Sequence, residues 1–385
     1  MDVRQRIASE QLVNSLSDEP VMGAEEFIRQ SRTDEAALTF ATSRSGKQSS
    51  YAGPDEITQP CVDAISLMGV EETDGLLNLG APEPHLSGWG AKHSTEALGA
   101  SVYNDHFDDY TRVIEDGHRH EITAMFSIPS IGTIRGEEIE SRYGPPSEVF
   151  PNLELGLFSG EMLRPAVRQR LKDQWGLDRT REFYGSSEVS IVAGAVDESR
   201  RLVPLLHRLI IEIEVDGEIL DIREPTEPIE GSILLTDPHR EAVNLTRYRQ
   251  GDRVRVYPDP EIPRIEPLGR EDNAVNLDGA LLYPADLYEA VGTAFREQPE
   301  CVPYALDSDP PAVLEVFVVG ATAERTAEFF EELFAINPAV EHAVKAASEE
   351  RIVLRYVDSI EETPLSNVED VESRQVVFQS EVLRE

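Results

Sequence analysis

The sequence predicts an α/β protein in two parts: a large first domain over residues 1–268 that carries a β-rich segment, and a small α+β domain over 269–385. Three observations lead there. Up to about residue 200, apolar strand-like runs alternate with helical stretches, the pattern of an α/β layer fold. From Leu209 the texture changes to strict alternation, as in Ile210-Ile-Glu-Ile-Glu-Val. Beyond Gly269 helices and strands alternate again over roughly 115 residues, a normal size for a compact small domain.

The elements follow in chain order. Residues 1–37 read as helical and polar, with Gly23-Ala-Glu-Glu-Phe-Ile-Arg opening a short amphipathic turn. Leu38-Thr-Phe-Ala is strand-like and leads into the polar loop Thr42-Ser43-Arg44-Ser45-Gly46-Lys47. Residues 58–69 carry Val62, Ile65, Leu67 and Met68 as a helix would. The best-marked helix covers 163–175: Val167, Leu171 and Trp175 recur on one face, and Gly176 follows as a stop. Asp216-Gly217 supplies a tight turn, so 210–215 and 218–222 form a hairpin. Residues 232–236 and 253–257 are two further strands. In the small domain the pattern gives a helix over 285–295, a strand over 313–319, helices over 323–335 and 340–347, and a strand over 352–357. There is no internal repeat, and an acidic stretch at 361–372 is the one hint of low complexity.

Charge narrows the function. The chain has 73 acidic against 35 basic side chains, a formal net charge of −38. A phosphate backbone would be repelled, which argues against a nucleic-acid partner. Only four basic residues are lysines (Lys47, Lys92, Lys172 and Lys345), and the acids are spread over the whole chain. Dense carboxylates hold hydration and keep molecules apart where salt screens their repulsion, so the composition reads as halophilic. No run of about 18 apolar residues occurs, which excludes a membrane-spanning helix and a membrane partner of that kind. Met1-Asp-Val-Arg-Gln-Arg lacks the apolar stretch of a signal peptide, and Cys61 and Cys301 are too few for a disulfide scaffold or a cysteine metal cage. The expectation is a soluble, cytoplasmic protein, and a homodimer is compatible with it.

Three segments concentrate polar residues and glycine. The first, 42–47, offers hydroxyls and backbone N–H groups that could wrap phosphate oxygens, although a solvated turn explains it as well. The second is Phe183-Tyr184-Gly185-Ser186-Ser187-Glu188, read as a turn after the 163–175 helix. Its tyrosine offers a flat face for a purine, its glycine lets backbone approach, and its glutamate could hold magnesium; a structural turn is the competing reading. Upstream, Phe158-Ser159-Gly160-Glu161 forms another small-residue corner. The third runs from Arg247-Tyr-Arg-Gln-Gly-Asp252 to Gly269-Arg270-Glu-Asp272-Asn. An aspartate on a short loop suits two ribose hydroxyls, and Arg270 could meet ribose or phosphate, whereas a surface ion-pair network is the alternative.

In order and spacing the three segments resemble the adenylate-forming enzyme superfamily, most closely its phenylacetate–coenzyme A ligase branch. Tyr184-Gly-Ser-Ser-Glu188 matches the branch's aromatic–Gly–x–Ser/Thr–Glu motif, and Phe158-Ser-Gly-Glu161 is similar to its adenine-side corner. Asn244-Leu-Thr-Arg-Tyr-Arg-Gln-Gly-Asp252 is similar to its Arg–Tyr–Arg–Thr–Gly–Asp stretch. Gly269-Arg-Glu-Asp-Asn-Ala-Val-Asn-Leu-Asp-Gly279, with Leu282-Tyr-Pro284, resembles its hinge and the start of a mobile lid. The resemblance covers about residues 38 to 375, after an N-terminal portion shorter than the family's.

The resemblance implies roles. Thr42, Ser43, Ser45, Gly46 and Lys47 would wrap phosphate, and Ser159, Gly160 and Glu161 would lie beside the base. Tyr184 would stack on adenine within the Gly185-Ser186-Ser187 turn, Glu188 would bind Mg²⁺, Asp252 would hold the ribose, and Arg270 would contact ribose or phosphate. Asp272 would be the hinge, and His85 and Trp89 would line the acyl pocket, although His85 reads equally as a packed structural histidine. The implied reaction is ATP-dependent adenylation of a small carboxylic acid and then thioester formation with coenzyme A. Two departures stand beside it. Ser43, Arg44 and Gln48 replace a glycine, a threonine and a proline of the family's phosphate loop. No lysine follows Lys345, where the family places one that meets the α-phosphate, and Arg374 is the nearby cation. These leave two alternatives: a catalytically weak adenylate-binding homologue, and an adenylyltransferase acting on a deazaflavin cofactor.

Overall fold

The computed structural model describes residues 3–12, 16, 19–31, 36–41, 48–83, 85–104, 110–115, 117–271, 274–277, 280–295, 300–306, 313–321, 325–347, 351–363 and 377–378. The chain divides into two compact units, Met1–Glu161 with Leu171–Pro267, and Met162–Arg170 with Leu268–Glu385.

The first unit opens with α1 (Val3–Ser9), α2 (Ala24–Gln30) and the antiparallel pair β1 (Leu38–Ala41) and β2 (Gln48–Tyr51). It continues through α3 (Asp55–Leu67), β3 (Gly75–Asn78), α4 (Leu86–Leu98), β4 (Ser101–Asn104), α5 (Tyr110–Glu115) and β5 (Ala124–Ser127). Next come α6 (Pro129–Tyr143), α7 (Pro146–Val149), β6 (Leu155–Phe158), α8 (Pro165–Trp175), whose residues up to Arg170 belong to the second unit, β7 (Arg179–Ser186), β8 (Ser190–Gly194) and β9 (Val203–Pro204). A seven-stranded sheet in the order β4-β3-β5-β6-β7-β8-β9 is parallel from β4 to β7 and antiparallel beyond. Every residue of β3, β5 and β6 is buried, as in parallel strands covered on both faces. The apolar stripe of α8 ends on Trp175, which is fully buried and donates its indole N–H to the Gly132 carbonyl at 3.0 Å. Truncating such a side chain to alanine costs about 3–5 kcal/mol.

A second sheet, five-stranded in the order β11-β10-β12-β13-β14, uses β10 (Ile210–Val215), β11 (Glu218–Asp221), β12 (Ile229–Asp237), β13 (Leu245–Tyr257) and β14 (Arg264–Arg270). The expected hairpin is β10–β11. Asp216 at φ 51° and Gly217 at φ 86° are both left-handed, which matches the twist of the flanking strands. The expected strands at 232–236 and 253–257 are the cores of longer ones. In particular, β13 takes in the 247–252 stretch read above as a short loop. Its polarity hid it: Arg247 is buried against Glu212, with Nη2 to Oε1 at 2.6 Å and Nε to Oε2 at 2.9 Å. A buried ion pair inside a strand leaves no apolar alternation to read.

The second unit contains the hairpin β15 (Val275–Leu277) and β16 (Ala280–Leu282), then α9 (Pro284–Ala294) and β17 (Glu300–Leu306). It ends with β18 (Val313–Val319), α10 (Thr326–Ile336), α11 (Pro338–Ala346), β19 (Ile352–Val357) and β20 (Val377–Phe378). The four-stranded sheet runs β19-β18-β17-β20. Alternate residues of β18, namely Leu314, Val316 and Val318, are fully buried with Leu287, Phe329, Leu333 and Val340. Asn337 caps α11 through its side-chain oxygen and donates to the buried Asp286 at 2.9 Å, tying α11 to α9. The helices and strands expected over 285–357 are α9, β18, α10, α11 and β19. Strand β17 escaped notice because Pro303 interrupts its pattern.

Candidate active site

The end of β7 carries Phe183-Tyr184-Gly185-Ser186. The segment is therefore a strand terminus and not a free turn after the helix, because its backbone pairs with β8. That pairing slips between Tyr184 and Gly185. A Cβ on Gly185 would stand 2.2 Å from the Ser190 carbonyl oxygen, so only glycine fits where the two strands close on each other. Ser190 itself takes φ 70° at the start of β8.

The partner segment lies in β13. Between the pairs Ser232↔Arg253 and Leu234↔Arg249, β12 spends one residue while β13 spends three: Gln250, Gly251 and Asp252. Gly251, at φ 89°, makes this bulge affordable, and bulges re-aim side chains next to sites. The outcome is a closed polar cluster. Tyr184 Oη donates to Asp252 Oδ2 at 2.7 Å, and Gln250 Nε2 donates to the same oxygen at 2.7 Å. Gln250 Nε2 also lies 3.3 Å from Tyr184 Oη, and Ser186 Oγ donates to Gln250 Oε1 at 3.3 Å. An aromatic ring and a carboxylate thus stand side by side, the pair needed for a flat base and a diol. Gln250 was not singled out from the sequence; its place two residues before Asp252 was the available signal.

The other candidates fall as follows. Glu188 is half-buried in the turn after β7, and its carbonyl accepts Arg240 Nη1 at 2.6 Å; Ser187 accepts Tyr51 Oη at 2.8 Å. Ser159 and Gly160 follow β6, with Gly160 at φ 87°. Glu161 accepts the Ser130 hydroxyl at 2.7 Å and the Ser130 N–H at 3.1 Å, so its charge sits on the N-terminus of α6. His85 is the N-cap residue of α4. Trp89 is buried, its ring 5.4 Å from Phe40 and 4.2 Å from His93. Arg270 is the last residue of β14 and falls in the second unit. Thr42, Ser43, Ser45, Gly46, Lys47, Asp272 and Arg374 lie outside the described residues.

Neither cysteine is set up as a nucleophile: burial pushes the Cys61 thiol up to about 11 and that of Cys301 up to about 12. Among the described residues no group of three or more His, Cys, Asp or Glu is placed to hold a metal ion, and no helix is long and apolar enough to cross a membrane. A lone Glu188 carboxylate still fits Mg²⁺ of the kind that is carried on phosphates and needs one or two protein carboxylates.

No family model matches the chain. Among curated proteins it is similar to a phenylacetate-coenzyme A ligase of Pseudomonas putida, 22% identical over 218 residues, which are 53% of this chain and 46% of that protein. The match thus spans about half of that relative. Among solved structures, 2-hydroxyisobutyryl-CoA ligase in the postadenylation state with 2-HIB-AMP superposes with a TM-score of 0.69 at 17% identity, over 97% of this chain and 82% of that one. Apo MatB from Rhodopseudomonas palustris gives 0.59 at 16% identity, over 84% and 64%. O-succinylbenzoate coenzyme A synthetase from Bacillus subtilis with AMP gives 0.54 at 19%, over 85% and 66%. The curated likeness is to a protein of the branch that the motifs resemble, and the likeness to solved structures shows that the fold is that of these ligases.

Proposed function

We propose, from a chain with the fold of the AMP-forming coenzyme A ligases, that it activates a small carboxylic acid with ATP and passes the acyl group to coenzyme A. One observation carries the reading: Tyr184 and Asp252, 68 residues apart in sequence, meet at 2.7 Å on two different sheets. In this reading the Tyr184 ring stacks on adenine, with the Ser159-Gly160-Glu161 corner beside the base. Asp252 accepts the two ribose hydroxyls, exchanging the Tyr184 and Gln250 donors for them. Arg270 supplies a cation to ribose or phosphate, and residues 42–47 wrap the triphosphate. His85 and Trp89 belong to the acyl side.

The chemistry is mainly positioning and charge neutralisation. A carboxylate oxygen of the acid attacks the α-phosphorus, the bond to the β-phosphate bridging oxygen breaks, and pyrophosphate leaves. The coenzyme A thiol, losing its proton, then attacks the acyl carbon; the C–O bond to AMP breaks and AMP leaves. Mg²⁺ held at Glu188 would neutralise phosphate charge. Asp272 keeps the hinge role between the two half-reactions. With no lysine between Lys345 and residue 385 to meet the α-phosphate, adenylation in this reading would be slower by about 10²–10³, the effect of losing one charge-stabilising group. A cytoplasmic location is compatible with ATP and coenzyme A as substrates, and the acidic, lysine-poor composition suits a salt-loaded cytoplasm. A homodimer is compatible with this reading.

The test is pyrophosphate release by the purified chain with ATP, Mg²⁺, coenzyme A and a panel of aryl and short-chain acids in molar potassium chloride. Release that depends on one acid class is the expected result. Silence with every acid would remove the ligase reading.

A further inference from the structure

Arg240 lies between β12 and β13, and its side chain is wholly shielded from solvent. Its Nη1 donates to the Glu188 carbonyl at 2.6 Å and its Nη2 donates to the Ser50 carbonyl on β2. Its Nε stands 3.4 Å from Glu56 Oε2, and its guanidinium carbon lies 3.8 Å from the centre of the Tyr51 ring. Tyr51, itself fully buried, donates its hydroxyl to the Ser187 carbonyl at 2.8 Å. Glu56 is held in turn by the N–H groups of Ala52 at 3.1 Å and Glu241 at 2.7 Å.

One buried cation and its stacked tyrosine therefore seize two successive carbonyls, Ser187 and Glu188, and fasten them to β2. A fold seldom needs such a charge for stability, because an apolar side chain of the same volume usually does as well. What a guanidinium adds is direction: a planar fork that satisfies two carbonyls at once, which a lysine cannot reproduce. The fork holds Glu188 by its backbone carbonyl, and the Glu188 carboxylate is close enough to act electrostatically on the Tyr51 hydroxyl.

We propose that Arg240, with Tyr51, is a positioning residue for Glu188, fixing the direction of that carboxylate so that nucleotide triphosphate binding depends on a divalent cation. This rests on the role given to Glu188 above. Groups that orient a metal ligand from behind change metal affinity about 10–100-fold when altered.

The test is ATP affinity by calorimetry, with Mg²⁺ and with EDTA, on the full chain and on Arg240→Lys and Tyr51→Phe, together with AMP affinity. In the unaltered protein Mg²⁺ tightens ATP binding. Arg240→Lys diminishes that tightening about 10-fold and Tyr51→Phe about 3-fold, while AMP affinity moves less than about twofold in either. A folded variant that keeps the full Mg²⁺ effect overturns the inference, as does an equal loss for ATP and AMP, which a merely structural residue would give. Absence of any Mg²⁺ effect in the unaltered protein overturns it too. If Arg240→Lys does not fold, Tyr51→Phe, which keeps the stacked ring, decides alone. Pyrophosphate release on the same samples judges the ligase reading separately: metal-dependent ATP binding without release would sink that reading and leave the clamp standing.

Discussion

Asp252 receives two donors on one oxygen, from Tyr184 and Gln250, each at 2.7 Å. Two donors hold the carboxylate in one orientation before any diol arrives. A hydrogen bond to a charged group is worth about 1.5–3 kcal/mol net, so Asp252→Ala should weaken ATP and AMP alike by at least the worth of one such bond, about 10- to 100-fold by calorimetry. Unchanged affinity would put the ribose elsewhere. Tyr184 and Asp252 were legible in the sequence because each sits in a short motif with a recognisable neighbour. Gln250 was marked only by its place two residues before Asp252, and Arg240 by nothing local: it acts on backbone carbonyls brought in from 52 and 190 residues away.

The strands show the same division. Helix α8 and strand β18 declared themselves by periodicity, since each buries one clear stripe or face. Strands β7 and β13 did not, because both are irregular where they carry the site: β7 slips at Tyr184/Gly185 and β13 swells at 250–252. The closeness of β7 and β8 gives a direct test. Gly185→Ala would place a methyl 2.2 Å from a backbone oxygen that has no room to yield. The expected cost is about 1–3 kcal/mol in urea denaturation, with nucleotide affinity lost in the same variant. A variant as stable as the parent would mean that the two strands are looser than described.

Across the molecule, buried charge and surface charge respond to different solvents. Asp63 of α3 is 2% exposed; burial pushes its carboxyl up, but the contacts of His207, at 2.7 Å, and Arg6 outweigh this and hold it below the usual carboxylate range. A depressed carboxylate stabilises the fold above its unfolded pKa, near 3.9, and that contribution disappears as pH falls through the folded value. Asp63→Asn should therefore lower stability at pH 7 by about 3–5 kcal/mol and flatten the acid limb of the stability–pH curve, read by denaturant titration between pH 3 and 7. An acid limb as steep as before would assign it to other groups. The chain as a whole, at a formal net −38, answers to ionic strength instead. Raising potassium chloride from 0.1 to 1 M shortens the screening length from about 10 to about 3 Å, so the melting temperature should rise; a fall would contradict the salt-adapted reading.

The swelling in β13 sets a trade that engineers of this chain would meet early. Excising two residues at 250–252 would let the ladder against β12 zip without a gap, and a regular ladder is the sturdier one. Libraries ranked on heat tolerance alone would thus favour a tidier protein that had lost the Tyr184–Gln250–Asp252 cluster.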